Sequence, residues 1–231
     1  MKVCTDACLF GALTATLTAS GNEARRMLDI GTGTGLLALM LAQKSPGSII
    51  DAIEIDGSAA QQAAENFDAS PWEERLTVYH ISIQQFTQLF TQSIDNLTDK
   101  QYDVIVSNPP FFDNDLKSVD NKRNLALHSE ALSLEELLDS VNSLLKEDGV
   151  FGALLPYHRT AYFEKLALGY KLYLSKKVLI KQTPGHSFFR SILFFGRKNG
   201  NTIEREIVIK NDANAYSSAF IELLQDYYLY L

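Results

Sequence analysis

Apolar and polar positions alternate in blocks along the first two thirds of the chain, and these blocks predict strands and helices in turn. Short apolar runs predict five strands, over Arg26–Ile30, Ser48–Ile53, Leu76–Ile81, Tyr102–Ser107 and Val150–Leu155. Stretches between them predict helices over Leu36–Lys44, over Ser58–Ala69, and from a near capping box at Ser133 to Gly149. Strands and helices that alternate in this way indicate a mostly parallel sheet covered by helices on both faces.

The pattern changes after residue 155. A predicted helix over Arg159–Leu168 is followed by three consecutive predicted strands, over Lys171–Lys181, Phe188–Gly196 and Ile203–Lys210. Sequences rich in turn formers separate these strands. Consecutive strands joined by turns predict an antiparallel edge on the parallel sheet, and a final helix is predicted over Tyr216–Leu229.

Composition indicates a globular chain with a real core. Hydrophobic residues make up 46% of the 231 positions and charged residues 21%, which excludes a disordered chain or a coiled coil. No repeat or linker divides the sequence, so we expect a single domain over residues 1–231. The longest apolar run, Leu36–Ala42, is far shorter than the roughly 20 residues that span a bilayer. No transmembrane helix is therefore predicted.

Cysteines and histidines give no sign of a metal site or a disulfide framework. Cys4 and Cys8 lack the spacing of a redox or zinc motif, and the four histidines are scattered along the chain. Residues 7–20 resemble a secretory leader only weakly, because Asp6 and several threonines interrupt the apolar run. We therefore predict a cytoplasmic protein that requires no metal.

Charge is distributed unevenly along the chain. The formal net charge is −7, from 21 Lys and Arg against 28 Asp and Glu. Residues 159–198 nevertheless carry nine basic side chains and one acid, Glu164, so this segment bears +8 and the remainder −15. Several aromatic residues lie among the basic ones. Such a segment can form a surface that attracts phosphate, but taken alone the charge pattern favours a solvated helix and sheet edges protected by lysines.

A glycine-rich loop joins the first predicted strand to the first predicted helix. Gly31, Gly33 and Gly35 allow positive φ angles and the close approach of a ligand to the backbone. Glu54 ends the next strand, where α/β nucleotide sites place a carboxylate that binds ribose hydroxyls. The G-x-G-x-G spacing departs from the G-x-G-x-x-G of dinucleotide enzymes, and Asp29 would repel a diphosphate. An acid there suits cationic S-adenosyl-L-methionine, which we predict as the cofactor.

A second motif, Asn108-Pro109-Pro110-Phe111, follows the predicted strand Tyr102–Ser107. Two prolines fix φ and remove two N–H donors, so the loop is stiff and presents its carbonyls. Asn108 offers an amide oxygen and Phe111 a flat apolar face. Together they can accept hydrogen bonds from a planar amine and stack on the ring that carries it. The combination with the glycine loop favours a binding site over a simple rigid turn.

These motifs resemble those of the class I adenosylmethionine-dependent methyltransferases that carry an Asn-Pro-Pro-aromatic sequence. Within that class the chain is most similar to the bacterial enzymes that methylate adenine N6 next to the anticodon of valine tRNA. Further segments match in order: Met1–Ala7, Leu28–Leu39, Ala52–Asp56 and Phe220–Leu231. The resemblance implies a Rossmann-like fold with a mostly parallel seven-stranded sheet and an antiparallel C-terminal edge. Residues 1–155 would bind the cofactor and carry catalysis, and residues 156–231 would form a candidate RNA-binding edge.

The resemblance also implies roles for single residues. Thr5 and Asp6 belong to the opening cofactor segment, and Ser82 stands where many relatives place an acid beside the cofactor adenine. Asn108 and the carbonyl of the next residue are expected to accept both hydrogens of N6. Phe111 is expected to stack on the target adenine once it has left its base stack. Positioning of the amine, rather than a strong base, is the expected catalytic device.

The substrate implied by the resemblance, tRNA, is a polyanion, whereas the chain is net acidic. The anticodon loop must therefore bind a restricted surface on which basic residues are concentrated. Segment 159–198 is the first candidate for that surface. We predict contacts from the basic residues Lys176, Lys177, Lys181 and Arg190. The stretch after Phe112 offers a second set, Lys117, Lys122 and Arg123.

Other functions remain open at this point. The same motif serves enzymes that methylate a glutamine side chain in release factors, which usually carry tyrosine at the aromatic position and an additional helical domain. Methylation of adenine in DNA would call for a target-recognition domain, and none is visible. A nicotinamide oxidoreductase is disfavoured by the glycine spacing. A non-catalytic nucleic-acid-binding module would leave both motifs unexplained.

Overall fold

The computed structural model describes residues 4–18, 25–92, 101–109 and 132–231. The strands are β1 (Arg26–Ile30), β2 (Ile49–Glu54), β3 (Leu76–His80), β4 (Tyr102–Ser107), β5 (Leu145–Pro156), β6 (Tyr173–Lys181), β7 (Phe188–Gly196) and β8 (Ile203–Val208). The helices are α1 (Thr5–Thr18), α2 (Leu36–Lys44), α3 (Gly57–Asp68), α4 (Ile83–Gln92), α5 (Leu134–Leu144), α6 (Thr160–Gly169) and α7 (Ser218–Leu224). The described strands form one sheet in the order β3-β2-β1-β4-β5-β7-β6-β8.

Helices cover both faces of this sheet. β1, β2 and β4 are parallel and buried almost throughout, so their alternate side chains enter two separate cores. α1, α2, α3 and α7 pack over one face, and α4, α5 and α6 over the other. In the first core the Phe10 and Phe194 rings lie 6.2 Å apart. A Cβ on Gly152 would come within 3.1 Å of both rings. The predicted α/β architecture is confirmed.

The antiparallel edge is also confirmed, with one addition. β7 pairs antiparallel with both β5 and β6. β8 then pairs parallel with β6, so the described sheet contains all eight strands predicted from the apolar runs, one more than the seven that the family resemblance implied. The final helix, Ser218–Leu224, is shorter than the predicted span of Tyr216–Leu229. It begins late because the Ser217 hydroxyl caps it, accepting from the Phe220 N–H at 3.1 Å.

The prediction that a helix runs from Ser133 to Gly149 is half right. The capping box is present, since the Ser133 and Glu136 side chains each accept from the other's backbone N–H. The helix ends at Leu144, however, and β5 starts at Leu145. Arg197, which follows β7, donates from Nη2 to the Asn142 carbonyl at 2.7 Å and to the Leu145 carbonyl at 3.3 Å. The guanidinium of Arg197, which is distant in sequence, thus binds carbonyls at the end of the helix. The sequence had instead predicted that Gly149 would end it.

Two helices, α1 and α4, were not predicted from the sequence. α1 is buried continuously from Ala7 to Ala15, so it has no polar face to give a helical period. Its Thr14 hydroxyl donates to the Phe10 carbonyl at 2.9 Å, which removes an unpaired polar group from the core. α4 was missed although Ile83, Phe86 and Phe90 have the spacing of one helix face and pack against the second core. No helix among the described residues is both long and apolar enough to cross a membrane.

Candidate active site

The glycine loop between β1 and α2 has the backbone that its sequence predicted. Gly31, Gly33 and Gly35 have φ angles of 72°, 60° and 88°, in the left-handed region that favours glycine. The N–H groups of Gly31 and Thr32 both donate to the Ile53 carbonyl, at 2.9 and 3.0 Å. The loop therefore lies at the carboxyl ends of β1 and β2, the edge at which parallel α/β sheets bind ligands.

Two of these glycines are needed for different reasons. A Cβ on Gly35 would lie 2.5 Å from the Phe67 ring of α3, so close packing excludes a larger residue. A Cβ on Gly31 would meet no atom within 4 Å, and Gly31 is exposed, so the backbone is open to a ligand there. Asn66 of α3, which no sequence motif indicated, supports the loop by donating from Nδ2 to the Thr34 carbonyl at 2.8 Å.

Glu54 ends β2, and two backbone donors hold its carboxylate beside the loop. Oε2 accepts from the Gly33 N–H at 2.8 Å, and Oε1 accepts from the Asp56 N–H at 2.9 Å. A carboxylate offers about four acceptor positions, so further positions are available to ribose hydroxyls. The acid stands where the sequence predicted it, and its contact with a cofactor stays a prediction.

Asp29 lies near the end of β1 and is fully buried. Its Oδ2 accepts from the Thr32 hydroxyl at 2.6 Å, while its Oδ1 has no hydrogen-bond partner among the described residues. Burial raises the pKa of Asp29 to about 7; the Thr32 hydroxyl and the Ala38 backbone N–H oppose the rise, and the charge of Glu54 adds to it. A buried carboxyl with one unsatisfied oxygen fits a neighbouring positive charge, such as the charge on adenosylmethionine.

The Asn-Pro-Pro motif starts beside the glycine loop. Ser107, the last residue of β4, pairs in register with Ile30, the last residue of β1. The Ser107 hydroxyl is buried and donates to the Ile30 carbonyl at 2.9 Å, which fixes the two strand ends together. The next residues along the two strands are Asn108 and Gly31. The two motifs found in the sequence therefore leave the sheet side by side.

Asn108 is half-buried, and Pro109 is buried. A half-buried amide is accessible to a ligand while its backbone is held by the end of β4. Pro110 and Phe111, which complete the predicted motif, lie outside the described residues.

The opening of α1 reaches the same edge of the sheet. Asp6 Oδ2 forms an ion pair with Arg190 Nε at 2.8 Å, and its Oδ1 accepts from the Ala7 N–H at 3.0 Å. Arg190 pairs in register with Pro156, the last residue of β5. Asp6 was predicted to bind the cofactor and Arg190 to bind RNA, so the two proposed contacts are partners of each other. Thr5, the first residue of α1, is half-buried next to Asp6.

Ser82 lies just beyond β3. Its hydroxyl accepts from the Gln85 N–H at 3.2 Å and so serves the start of α4. The preceding residue, Ile81, donates its N–H to the Glu54 carbonyl at 3.1 Å, which brings this stretch next to the end of β2. His80, to which no sequence motif assigned a role, lies next to the end of β2 too, with Nε2 at 3.1 Å from the Ile55 carbonyl.

Basic residues of segment 159–198 have acidic partners on neighbouring elements. Lys177 Nζ lies 3.2 Å from the Glu164 carboxylate of α6 and 3.2 Å from the Glu204 carboxylate of β8. Lys181 Nζ lies 3.3 Å from Glu206, also on β8. The segment therefore presents less positive charge than its composition suggested, because β8 brings acids to it from further along the chain.

Lys176 differs from the other predicted RNA contacts. Its Nζ lies 5.7 Å from the centre of the Phe194 ring, and burial lowers the pKa of Lys176. Three further predicted contacts, Lys117, Lys122 and Arg123, lie outside the described residues.

This edge of the sheet can carry out three chemical tasks. Glu54 can bind the hydroxyls of a nucleoside, Asp29 can balance a positive charge, and Asn108 can accept hydrogen bonds from an amine. In the part of the chain that the structure describes, no three His, Cys, Asp or Glu side chains form a group that could hold a metal ion.

Comparison with known sequences identifies full-length relatives. Residues 10–136 match the sequence family described as the methyltransferase small domain. A Flavobacterium johnsoniae protein named tRNA1(Val) (adenine(37)-N6)-methyltransferase is 39% identical over 230 residues, which cover 99% of this chain and 93% of that protein. A Bacteroides fragilis protein of the same name is 41% identical over 229 residues, which cover 99% of this chain and 91% of that protein.

Comparison with solved structures agrees on the fold. A predicted O-methyltransferase of Agrobacterium tumefaciens superposes with a TM-score of 0.68 at 14% identity, over 95% of each chain. TrmN from Thermus thermophilus superposes with a TM-score of 0.57 at 21% identity, over 81% of this chain and 48% of that one. At these identities the likeness concerns the fold alone, and it confirms the predicted Rossmann-like class.

Proposed function

Because this chain belongs to the methyltransferase small domain family and to the family of the tRNA1(Val) (adenine(37)-N6)-methyltransferases, we propose that it methylates N6 of an adenine in tRNA. The methyl donor is S-adenosyl-L-methionine, and the target is the adenosine 3′ of the anticodon of valine tRNA. The observation that carries the proposal is the placement of Asn108 beside the glycine loop, on adjacent strands. An acceptor for an amine thus stands next to the candidate cofactor edge.

Three residues fit adenosylmethionine at separate points. Glu54, held by two backbone N–H groups, would accept hydrogen bonds from the ribose hydroxyls. Asp29, with one oxygen unsatisfied among the described residues, would balance the positive charge of the cofactor. Gly31 would leave the backbone accessible. The bound cofactor supplies a methyl group on a cationic sulfonium.

Asn108 and Pro109 would hold the acceptor. The Asn108 amide oxygen and the Pro109 carbonyl would accept the two hydrogens of N6, which leaves the nitrogen lone pair free to form an N–C bond in place of the donor's methyl–sulfur bond. The proton that N6 then loses passes to water. The adenine must leave its stack first. Phe111 is proposed to stack on the extruded base, an interaction worth about 1–3 kcal/mol.

Residues 156–231 are proposed as the RNA-binding edge and residues 1–155 as the cofactor-binding and catalytic part. The proposed contacts are Lys176, Lys177, Lys181 and Arg190, with Lys117, Lys122 and Arg123 as a second set. Three of the first set have carboxylate partners, so each would contribute less than an unpaired cation would. A tRNA substrate would also place the protein in the cytoplasm.

The test is methyl transfer to transcribed valine tRNA, with the product nucleoside identified by mass spectrometry. Wild-type protein should form N6-methyladenosine, and a transcript with guanosine at position 37 should accept no methyl group. Asn108→Ala should lower the rate about 100-fold or more, because the amine loses its positioning group. Affinity for adenosylmethionine should stay nearly unchanged, since Asn108 is assigned to the acceptor.

Asn199→Ala is the matched control, because Asn199 is exposed in the turn after β7, at the opposite end of the sheet. It should leave the rate unchanged. An Asn108→Ala enzyme of normal rate would contradict the assigned role. Methylation of a glutamine-containing release-factor peptide in place of tRNA would favour the alternative substrate class.

A further inference from the structure

An aromatic and cationic cluster lies at the carboxyl edge of the sheet, beside the site described above. We call it the edge platform, and it consists of Tyr157, Phe188 and Lys181. The ring centroids of Tyr157 and Phe188 lie 5.2 Å apart, with the planes inclined at 45°. Lys181 Nζ lies 4.3 Å from the centre of the Phe188 ring, within the range of a cation–π contact.

Strand pairing and a fixed turn hold the edge platform in place. Lys181 ends β6 and Phe188 begins β7, and the two are partners in the register of these strands. In the turn between them, the Thr183 hydroxyl lies 2.6 Å from His186 Nδ1, and the His186 N–H donates to the Thr183 carbonyl. Lys181 is further held by Glu206 at 3.3 Å. A surface built in this way loses little conformational freedom when a ligand binds.

Core packing does not account for the edge platform. Tyr157 is 42% exposed and Phe188 half-buried, whereas the large rings of the two cores are fully buried. The fully buried phenylalanines are Phe10, Phe151, Phe163, Phe194, Phe195 and Phe220. Partly exposed rings next to a cation are typical of surfaces on which proteins stack unpaired bases of RNA.

The edge platform lies further along the strand direction than Asn108, beyond the carboxyl ends of the strands. Ser107 of β4 pairs with Ala153 of β5, so the level of Asn108 corresponds to the residue after Ala153. β5 continues to Pro156, and Tyr157 follows it, three residues beyond that level. At about 3.3 Å per residue, this separation along the strand is roughly 10 Å. A nucleotide strand that rises about 3.4 Å per nucleotide covers it in about three nucleotides.

We propose that the edge platform stacks an unpaired base of the substrate RNA within about three nucleotides of the target adenine. This inference rests on the proposed function, and it adds a positioning surface for the bases that flank the target. Stacking uses the flat face of a base and needs no net positive charge. It is therefore compatible with a chain of net charge −7 whose neighbouring lysines are paired with acids.

The experiment uses valine anticodon stem-loops that carry 2-aminopurine at one of the three positions on either side of the target adenosine. Stacking quenches this fluorophore, so binding to wild-type protein should quench it strongly at one of the positions. Tyr157→Ala should abolish that quenching and raise the Kd for RNA and the KM by about 5- to 100-fold. The kcat and the affinity for adenosylmethionine should stay unchanged. Tyr157→Phe should behave as wild type, because it keeps the ring.

Tyr230→Ala is the matched control. Tyr230 is 90% exposed and lies four residues after Asp226. Asp226 pairs with Lys44 at the end of α2 that is far from the glycine loop. The ratio of Kd between Tyr157→Ala and wild type should also vary little with salt, because a stacking contact releases no counterions. A phosphate contact would make this ratio fall as salt rises.

The outcomes separate the edge platform from the proposed function. If wild-type protein methylates tRNA while Tyr157→Ala matches it in Kd and quenching, the stacking role of the edge platform is overturned and the proposed function stands. If wild-type protein transfers no methyl group but shows quenching that depends on Tyr157, the function is overturned and the edge platform stands. Failure to bind RNA at all would overturn both.

Discussion

At the scale of single residues, Asp29 and Glu54 stand at neighbouring strand ends in contrasting surroundings. Glu54 is half-buried and accepts from two backbone N–H groups. Asp29 is fully buried, and burial outweighs the Thr32 hydroxyl and the Ala38 backbone N–H, so its pKa rises to about 7. A buried acid with a raised pKa makes the stability of the cofactor-free protein depend on pH.

Asp29 should lower the stability of the cofactor-free protein as pH rises. Between its ordinary pKa of 3.8 and about 7, the folded protein holds a proton on Asp29 that the unfolded chain has released. Raising the pH through this window removes that proton, so the free energy of unfolding should fall and then level off above pH 7. Across this window the wild-type protein should lose on the order of 1 to 4 kcal/mol in its free energy of unfolding. Asp29→Asn should remove this loss, because asparagine binds no proton here.

Urea denaturation between pH 5 and pH 8 measures the difference. The control is Asp56→Asn, at an exposed helix cap that asparagine can also fill. The control should follow the wild-type curve. Parallel curves for Asp29→Asn and wild type would show that the pKa of Asp29 is not raised in the folded protein.

Some of the site could be predicted from local sequence, and some could not. The glycine spacing and Glu54 lie within one stretch of chain, so their roles in the loop follow from motif rules. The Asp6–Arg190 ion pair joins residues 184 positions apart and is set by how α1 meets β7. Nothing in either local sequence indicates that pair. Asn66 was missed for the same reason, since its contact with the loop depends on how α3 packs.

At the scale of elements, boundaries were predicted where apolar runs met glycine or proline. β1, α2 and β4 begin and end as predicted, because a glycine-rich loop or a proline pair limits each of them. The end of α5 was missed, because its capping group, Arg197, comes from the end of β7. α1 was missed because a helix buried on all sides has no periodic polar face.

Arg197 should therefore contribute to stability through the end of α5. Its guanidinium donates to the Asn142 side chain and to the carbonyls of Asn142 and Leu145. Arg197→Ala would remove two hydrogen bonds to the exposed Asn142 and one to the part-buried Leu145 carbonyl, so the free energy of unfolding should fall by about 0.5–1.5 kcal/mol. Chemical denaturation of this variant and of Lys198→Ala, an exposed neighbour, tests the role. An equal effect of the two substitutions would contradict it.

At the scale of the whole molecule, charge and topology act together. The basic segment 159–198 carries +8 in sequence, but β8 aligns beside β6 and brings Glu204 and Glu206 to its lysines. Composition along the chain could not reveal this, because parallel pairing of β6 with β8 had not been predicted. The charge that an RNA meets depends on the sheet order as well as on the sequence.

The salt dependence of tRNA binding tests this surface in both directions. Replacing Lys176, Lys177, Lys181 and Arg190 together by glutamine should weaken binding and flatten the slope of log affinity against log salt. Replacing Glu164, Glu204 and Glu206 by glutamine should strengthen binding, because the lysines lose their acidic partners. Affinity for adenosylmethionine should stay unchanged in the glutamate set and in a lysine-only version of the first set, whereas Arg190 is the partner of Asp6, a predicted cofactor contact. If both variants keep the wild-type slope, tRNA docks elsewhere, with Lys117, Lys122 and Arg123 as the next candidates.

The burial of α1 has a consequence for the order in which a newly made chain can fold. Phe10 near the amino terminus packs against Phe194, and the same core contains Phe220 and Leu224 of the last helix. α1 therefore leaves the ribosome before β7 and α7, which complete its packing, have been made. Until then its apolar surface is exposed to solvent and to other chains. We expect nascent fragments that lack β7 and α7 to need chaperone protection that the full-length protein does not.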